Sequence, residues 1–333
     1  MKRPAKRLLA VLVSCLSLAV SSAHSAPTRI VDGWYAHNAT LIMLGASDKI
    51  IGTVISPDRF PWMMCIAPQL REARFFSSMT LNAEAVLALH PDLVFVTKQA
   101  GSIDGLHKLG LNAVAVGFTD FTGLVETINQ SAILLDTDLA RAQANRYRMA
   151  LSRLLAQRRS TVHAPRILHI ASLAPLTVDG DQSIIDEWIR DAGGMNAATG
   201  LHGNKRPVSF EQILTWAPDI IIMGADAGNP DRLADNPLWS HIPAVTRHKV
   251  FRNPAGVFNW DRYSPELLLQ IVWARQLVQK GAIDRAVMIG KIKDFYSDFY
   301  RHPIDEDDAL RILDAQPPLS GKCSGMTDKI GQK

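Results

Sequence analysis

Apolar residues along this chain gather in short runs separated by longer amphipathic stretches. The runs "RIVD", "KIIGTV", "DLVFVT" and "NAVAV" in the first half, and "RILHI", "DIIIMG" and "KVFRN" in the second, have the length and β-branched content of buried strands. Helical patterns lie between them. The alternation predicts an α/β fold with mainly parallel sheets covered by helices. Gly193, in "DAGGMN", ends one of those helices.

One pattern occurs twice. "LNAEAVLALHPDLVFV", Leu81 to Val96, returns as "VSFEQILTWAPDIIIM", Val208 to Met223; Glu84, Leu87, Pro91 and Asp92 match Glu211, Leu214, Pro218 and Asp219 at one offset of 127. Proline disfavours helical geometry in the residue before it, so each copy reads as helix, turn and strand. A single Pro-Asp turn is common in α/β proteins, but two copies at a constant offset predict two related lobes. Between the halves, Asp136 to Ser160 contains no Gly or Pro and sets Leu139, Ala142, Ala150, Leu151, Leu154 and Leu155 on one broad face. This predicts a connecting helix of about 20 residues, roughly 30 Å long, with Asp138 as its N-cap. The predicted organisation is a leader over 1–26, a first lobe over 27–136, the connecting helix within 137–163 and a second lobe over 164–314. Residues 315–333, rich in Pro, Gly, Ser and Lys and without periodicity, read as a disordered tail.

The N-terminus changes the charge picture. "MKRPAKRLLAVLVSCLSLAVSSAHSA" has a basic start, an apolar run from Leu8 to Val20 and a small-residue exit near Ala23 or Ala26, the pattern of an export signal. A second reading ends the leader at "LVSC" and anchors the protein by a lipid on Cys15. The net charge of +4 includes Lys2, Arg3, Lys6 and Arg7; removing those four from 36 bases leaves 32, against 32 acids. A near-neutral mature chain with no basic stripe among aromatics gives no sign of a nucleic-acid partner. With 333 residues, 47% hydrophobic and 20% charged, the chain is large enough for two cores. Cys65 and Cys323 are far apart and lack CxxC spacing, so they read as unpaired thiols, with a disulfide as the alternative in an oxidising compartment.

Together the leader, the two α/β halves, the connecting helix and the answering pair "NAEAVLALHPDLVFV" and "SFEQILTWAPDIII" resemble the periplasmic solute-binding proteins of ABC importers that carry iron siderophores, haem or cobalamin. The resemblance covers Arg29 to Phe299. It implies two Rossmann-like lobes on a helical spine, a ligand cleft between them, a monomer, a membrane permease as partner, and a metal chelate as cargo with no intrinsic cofactor. In that family one acidic residue per lobe docks on the permease, and the matching positions are Glu84 and Glu211. The simpler role for each is an acid placed favourably in the first turn of its helix.

The family's ligand lies between the lobes at the carboxyl ends of strands. The matching segments are "DGWYAHNAT", with Trp34, Tyr35 and His37, "RFPWMMCIAPQL", with Trp62, Met63, Met64 and Cys65, and "NPAGVFNWDRYSPE", with Phe258, Asn259, Trp260, Arg262 and Tyr263. Ser264 as N-cap, Pro265 at the first helical position and Glu266 in the first turn start the next helix, which leaves those aromatics in a loop. His37 reads either as a ligand or metal contact or as a locally bonded helix-start residue. Arg262 meets an anionic chelate or pairs with Asp261 or Asp32. Trp62, Met63, Met64 and Cys65 read as core, despite the soft sulfur ligands among them. Ser172 and Leu173 are the second lobe's weaker cleft candidates. GxSxG, HExxH and Gly-rich phosphate motifs are absent from the sequence, so binding without catalysis is the expectation. The expected cargo is an iron siderophore or haem. The alternatives are a nickel, cobalt or cobalamin complex, with His37 as a protein-supplied ligand, and an exported protein-interaction module that uses the same cleft.

Overall fold

The computed structural model describes residues 26–101, 103–158 and 163–323. The leader, with Cys15, and the last ten residues of the tail lie outside them. Two sheets form, one from strands before the connecting helix and one from strands after it. The first contains β1 (Ile30–Asp32), β2 (Ile50–Thr53), β3 (Arg74–Phe75), β4 (Leu93–Thr97) and β5 (Ala113–Val116) in the order β3-β2-β1-β4-β5, with every pairing parallel. The second contains β6 (Arg166–Leu173), β7 (Leu176–Val178), β8 (Met195–Asn196), β9 (Arg206–Pro207), β10 (Ile220–Met223) and β11 (Val250–Arg252) in the order β11-β10-β6-β7-β9, with β8 beside β6. Its β7 runs antiparallel to both neighbours, so this sheet is mixed.

The repeated pattern has a structural cause. Asn82 and Ser209 cap the helices Ala83–Leu87 and Phe210–Trp216, and Ser209 and Gln212 complete a capping box. Each helix exits through a left-handed residue just before the proline, His90 at φ 48° and Ala217 at φ 41°. Each aspartate after the proline then holds the start of its lobe's central strand. Asp92 Oδ2 accepts the Thr28 and Arg29 N–H groups at 2.8 and 3.0 Å, and Asp219 Oδ2 accepts that of Arg166 at 2.9 Å. Strand register follows in the same way, with Leu93 opposite Ile30 and Ile220 opposite Ile167.

Side chains alternate across both sheets as buried strands require. Val31, Val94 and Val96 pack on the outer face of the first lobe, and Leu168, Ile170, Ile221 and Met223 on that of the second. The opposite faces, with Ile30, Leu93 and Phe95 from one sheet and Ile167, Ile220 and Ile222 from the other, belong to a single apolar core that continues across the lobe boundary.

The connecting helix spans Asp138–Ala156 and is capped by Thr137, whose hydroxyl accepts the Ala140 N–H, so Asp138 is its first helical residue and not the cap. Its buried stripe is Ala140, Gln143, Ala144, Tyr147 and Leu151, while Leu139 is 43% exposed. The aliphatic residues alone misplace the stripe because the small Ala140 and Ala144 and the polar Gln143 are what admit the C-terminal segment. Gln143 Nε2 donates to the Asp298 and Phe299 carbonyls at 3.1 and 3.2 Å, and Tyr147 meets Phe299 edge-on at 5.8 Å. Arg301 ties the same segment to the first lobe through the Ile42 and Met43 carbonyls.

Two expectations for the tail are overturned. Cys65 and Cys323 are disulfide-bonded, and residues up to Cys323 fold against the first lobe, where Trp62 Nε1 donates to the Gln316 carbonyl at 2.8 Å. A composition poor in apolar residues misses this, because a covalent bond and a few polar contacts hold the segment instead of a core of its own.

Candidate functional site

Chain direction in the sheets puts the loops after β1, β2, β10 and β11 at one edge, where the two lobes face each other. After β1, Asp32 Oδ1 accepts the Trp34 N–H at 3.1 Å and starts the helix Tyr35–Met43, for which Trp34 supplies no side-chain cap. Trp34 and Tyr35 are thereby set in the wall of a cavity of about 290 Å³ between the lobes. Arg59 and Phe60 join them from the first lobe, and Phe258, Asn259, Arg262 and Tyr263 close it from the second, with Asn204 and Lys205.

Aromatic pairs bridge the lobes on both sides of this cavity. Trp34 meets Tyr263 at 5.6 Å, with Phe118 at 5.6 Å from each, while Phe60 stacks on Phe258 at 5.5 Å and on Tyr35 at 5.9 Å. The exposed Arg59 guanidinium lies 5.4 Å from the Tyr35 ring centre and 5.5 Å from that of Phe60. Beyond the Phe60–Phe258 pair is a second hollow of about 220 Å³, walled in part by Ala315, Gln316 and Pro317 of the tethered tail.

His37 and Trp260 do not line the cleft; both are fully buried behind it. His37 Nδ1 lies 3.1 Å from Asp32 Oδ2, and Nε2 lies 2.8 Å from Ser131 Oγ, whose hydroxyl donates to the Thr127 carbonyl. The hydroxyl proton is thus committed to Thr127, which leaves Nε2 as the donor to Ser131 Oγ, while Nδ1 faces Asp32. Burial raises the Asp32 carboxyl against the pull of His37. Neither imidazole nitrogen is free to hold a metal. Trp260 Nε1 points at Glu266 Oε1 at 3.3 Å.

Glu266 organises the aromatic loop from within. The next helix begins only at Leu267, so the Glu266 carboxylate turns back and accepts the Val257 and Phe258 N–H groups at 3.2 and 2.8 Å and the Tyr296 hydroxyl at 2.7 Å. Burial pushes this carboxyl up to about 7, against those four hydrogen bonds. A side chain at Gly256 would place its Cβ 2.0 Å from the Tyr296 hydroxyl, so only glycine fits there.

Under the cleft floor lies a buried ionic group. Arg262 Nη2 sits 3.1 Å from both Asp179 Oδ2 and Asp261 Oδ2; His169 Nδ1 is 2.7 Å from Asp179 and its Nε2 is 3.1 Å from Asp261. Burial disfavours every charge here, but the Arg262 charge and the His169 contacts hold both carboxyls low. Bonds to both aspartates outweigh burial and raise His169.

Of the expected cleft residues, Trp34, Tyr35, Phe258, Asn259, Arg262 and Tyr263 converge on one cavity. Ser172 is used locally, accepting the Ala174 N–H, and its neighbour Ala171 lines the wall instead. The expected cleft segment "RFPWMMCIAPQL" lines the cavity with its first residues, Arg59 and Phe60, rather than with Trp62 to Cys65; sequence reasoning missed Asn204 and Lys205, whose loop carries no periodic signal. Glu84 and Glu211 are exposed in the first turns of their helices.

Two α/β lobes that share a core across a helical connection and hold a small polar and aromatic cleft between them define a two-lobed solute-binding protein. The chain belongs to the periplasmic binding protein family, whose pattern matches residues 31–256. The molybdate-binding protein MolA of Haemophilus influenzae is 26% identical over 274 residues, 74% of this chain and 78% of that protein. Its molybdate-bound crystal structure superposes with a TM-score of 0.70 at 22% identity, covering 84% and 94% of the two chains. A periplasmic solute-binding protein of Veillonella parvula superposes with a TM-score of 0.73 at 27% identity, covering 86% and 91%. The vitamin B12-binding protein BtuF of Vibrio cholerae shares the fold, with a TM-score of 0.64 at 19% identity over 77% and 98%. The family is periplasmic, and its members carry transported ligands rather than intrinsic cofactors.

Proposed function

We propose that the protein is the substrate-binding component of an ABC importer and that its cargo is a compact, metal-bearing anion. The observation that carries this reading is the cleft itself: about 290 Å³, shared by both lobes, with the cationic Arg59, Lys205 and Arg262, against the acidic Asp226 and Asp261, around aromatic walls. That volume is at the small end for ligand pockets, which favours an oxoanion of the molybdate type or a small chelate over haem. Similarity to a molybdate-binding protein supports the same choice. A ferric chelate is the second reading, favoured by Trp34, Tyr35, Phe60 and Phe258, whose faces suit an organic chelator. Among the described residues no group of three or more His, Cys, Asp or Glu gathers as a metal site, so a metal bound in this way brings its own oxygen or chelator ligands. Glu84 and Glu211, exposed at equivalent places on the lobes, are the proposed docking points for the permease. The binding itself requires no catalytic step.

Calorimetric titration of the mature protein with molybdate, a ferric siderophore and haemin tests the ligand class. One-to-one binding of molybdate or the ferric chelate, without binding of haemin, is the expected result. Binding of haemin alone, or of a neutral solute in preference to both anions, overturns it.

A further inference from the structure

Two residues with side chains adopt the left-handed backbone region in the cleft wall: Lys205 at φ 52° and Tyr263 at φ 53°. That region is unfavourable for a residue with a Cβ, and it persists only where the surroundings enforce it. Both positions adjoin Asp179, which is fully buried. Asp179 Oδ1 accepts the Lys205 backbone N–H at 2.9 Å, while Oδ2 takes Arg262 Nη2 at 3.1 Å and His169 Nδ1 at 2.7 Å. One carboxylate therefore fixes a loop backbone and a guanidinium together.

The groups so held have unused donors. Arg262 spends Nε and Nη2 on the two aspartates, and Nη1 has no hydrogen-bond partner among the described residues. Lys205 is exposed, and no ion pair or hydrogen bond involves its ammonium among the described residues. Asn204 meets the Tyr263 hydroxyl through one end of its amide, and the other end has no partner. Nδ2 is the end that donates to the Tyr263 hydroxyl, and the free end is the amide oxygen, so Asn204 holds Tyr263 and adds no donor of its own.

We propose that Lys205 forms the anion-selecting edge of the cleft beside Arg262 and that Asp179 is the positioning residue that holds the two in one arrangement. The assignment rests on the anionic-cargo reading above and sharpens it: the ligand presents several negatively charged oxygens to the second lobe, either as a tetrahedral oxoanion or as the oxygen-rich edge of a chelate. Charge-assisted hydrogen bonds from Arg262 Nη1 and the Lys205 ammonium give such a group both orientation and affinity.

The test is a double-mutant cycle of Lys205→Ala and Asp179→Asn in the mature protein, titrated separately with molybdate and with a ferric siderophore. Lys205→Ala is expected to weaken whichever probe the parent binds by about tenfold or more, the loss of one charge-assisted bond, and Lys205→Arg to restore binding to within a few fold. Asp179→Asn is expected to weaken binding about tenfold in the parent but clearly less in the Lys205→Ala background, because part of its effect passes through Lys205. A residue that only stabilises the fold would give additive losses, and additivity overturns the positioning role. Should Asp179→Asn fail to fold, Lys205→Ala, at the cleft wall, decides the edge on its own: parent-like affinity overturns it. A parent that binds neither probe removes the anionic-cargo reading and this assignment with it, whereas a parent that binds and variants that bind equally remove this assignment alone.

Discussion

Glu266 and Trp260 act on the cleft without touching it. Burial raises the Glu266 carboxyl from 4.5 to about 7, so the folded state takes up a proton that the unfolded chain releases. The favourable contribution of that proton is complete below about pH 4.5 and is lost as pH rises through 7, a change of up to about 3 kcal/mol. Denaturant unfolding at pH 5 and pH 8 should show Glu266→Gln to be less pH-dependent than the parent; an identical pH profile contradicts the assignment. Trp260→Ala is expected to cost about 3–5 kcal/mol of stability as a buried aromatic. Phe258→Ala, in the wall, should instead cost about 1–3 kcal/mol of binding, so melting and titration separate the two roles. The sequence shows that large aromatics in a loop must bury against something, but not which of them face the cavity. That choice depends on Glu266 folding back onto the loop, a contact that helix-start rules assign to the helix dipole instead. His37 has the same history: its residue type suggests a metal ligand, and Ser131, distant in sequence, occupies the nitrogen that would bind one.

At the scale of elements, the longer strands were legible because β-branched runs bounded by turns leave little choice. Strands β3, β8 and β9 are two residues each and carry no periodicity, and β7 follows a proline turn, so pairing partners alone define them. The repeated helix-turn-strand unit was legible for a physical reason, since its cap, its left-handed exit and its strand-holding aspartate all constrain residue type. Glu84 and Glu211 lie exposed beside those groups, and the Ser209 side chain and the Glu211 N–H lower the Glu211 carboxyl. Charge reversal at both, Glu84→Lys with Glu211→Lys, is expected to abolish uptake in a permease-dependent transport assay while leaving ligand affinity within a few fold. Uptake at the parental rate contradicts the proposed docking.

For the whole molecule, the connecting helix is one of several ties between lobes. A continuous core, the Arg301 contacts to the first lobe and the Cys65–Cys323 bond all join the same two bodies. Close-packed interiors do not deform continuously, so loading should rotate the lobes by only several degrees, roughly the scale of small hinge and shear motions. Small-angle scattering of free and loaded protein should give radii of gyration equal within error, and a clear contraction on loading contradicts this rigidity. The proposed ligand is an anionic metal species that sits between the lobes and is held by both. Anomalous diffraction at the molybdenum edge, from crystals of the mature protein grown with molybdate, tests it most directly. The expected result is one strong peak inside the cleft, within contact of Tyr35 or Arg59 on one side and Lys205 or Arg262 on the other; a peak confined to a single lobe's outer surface, or an empty cleft at saturating molybdate and, at the iron edge, at saturating ferric chelate, would contradict it.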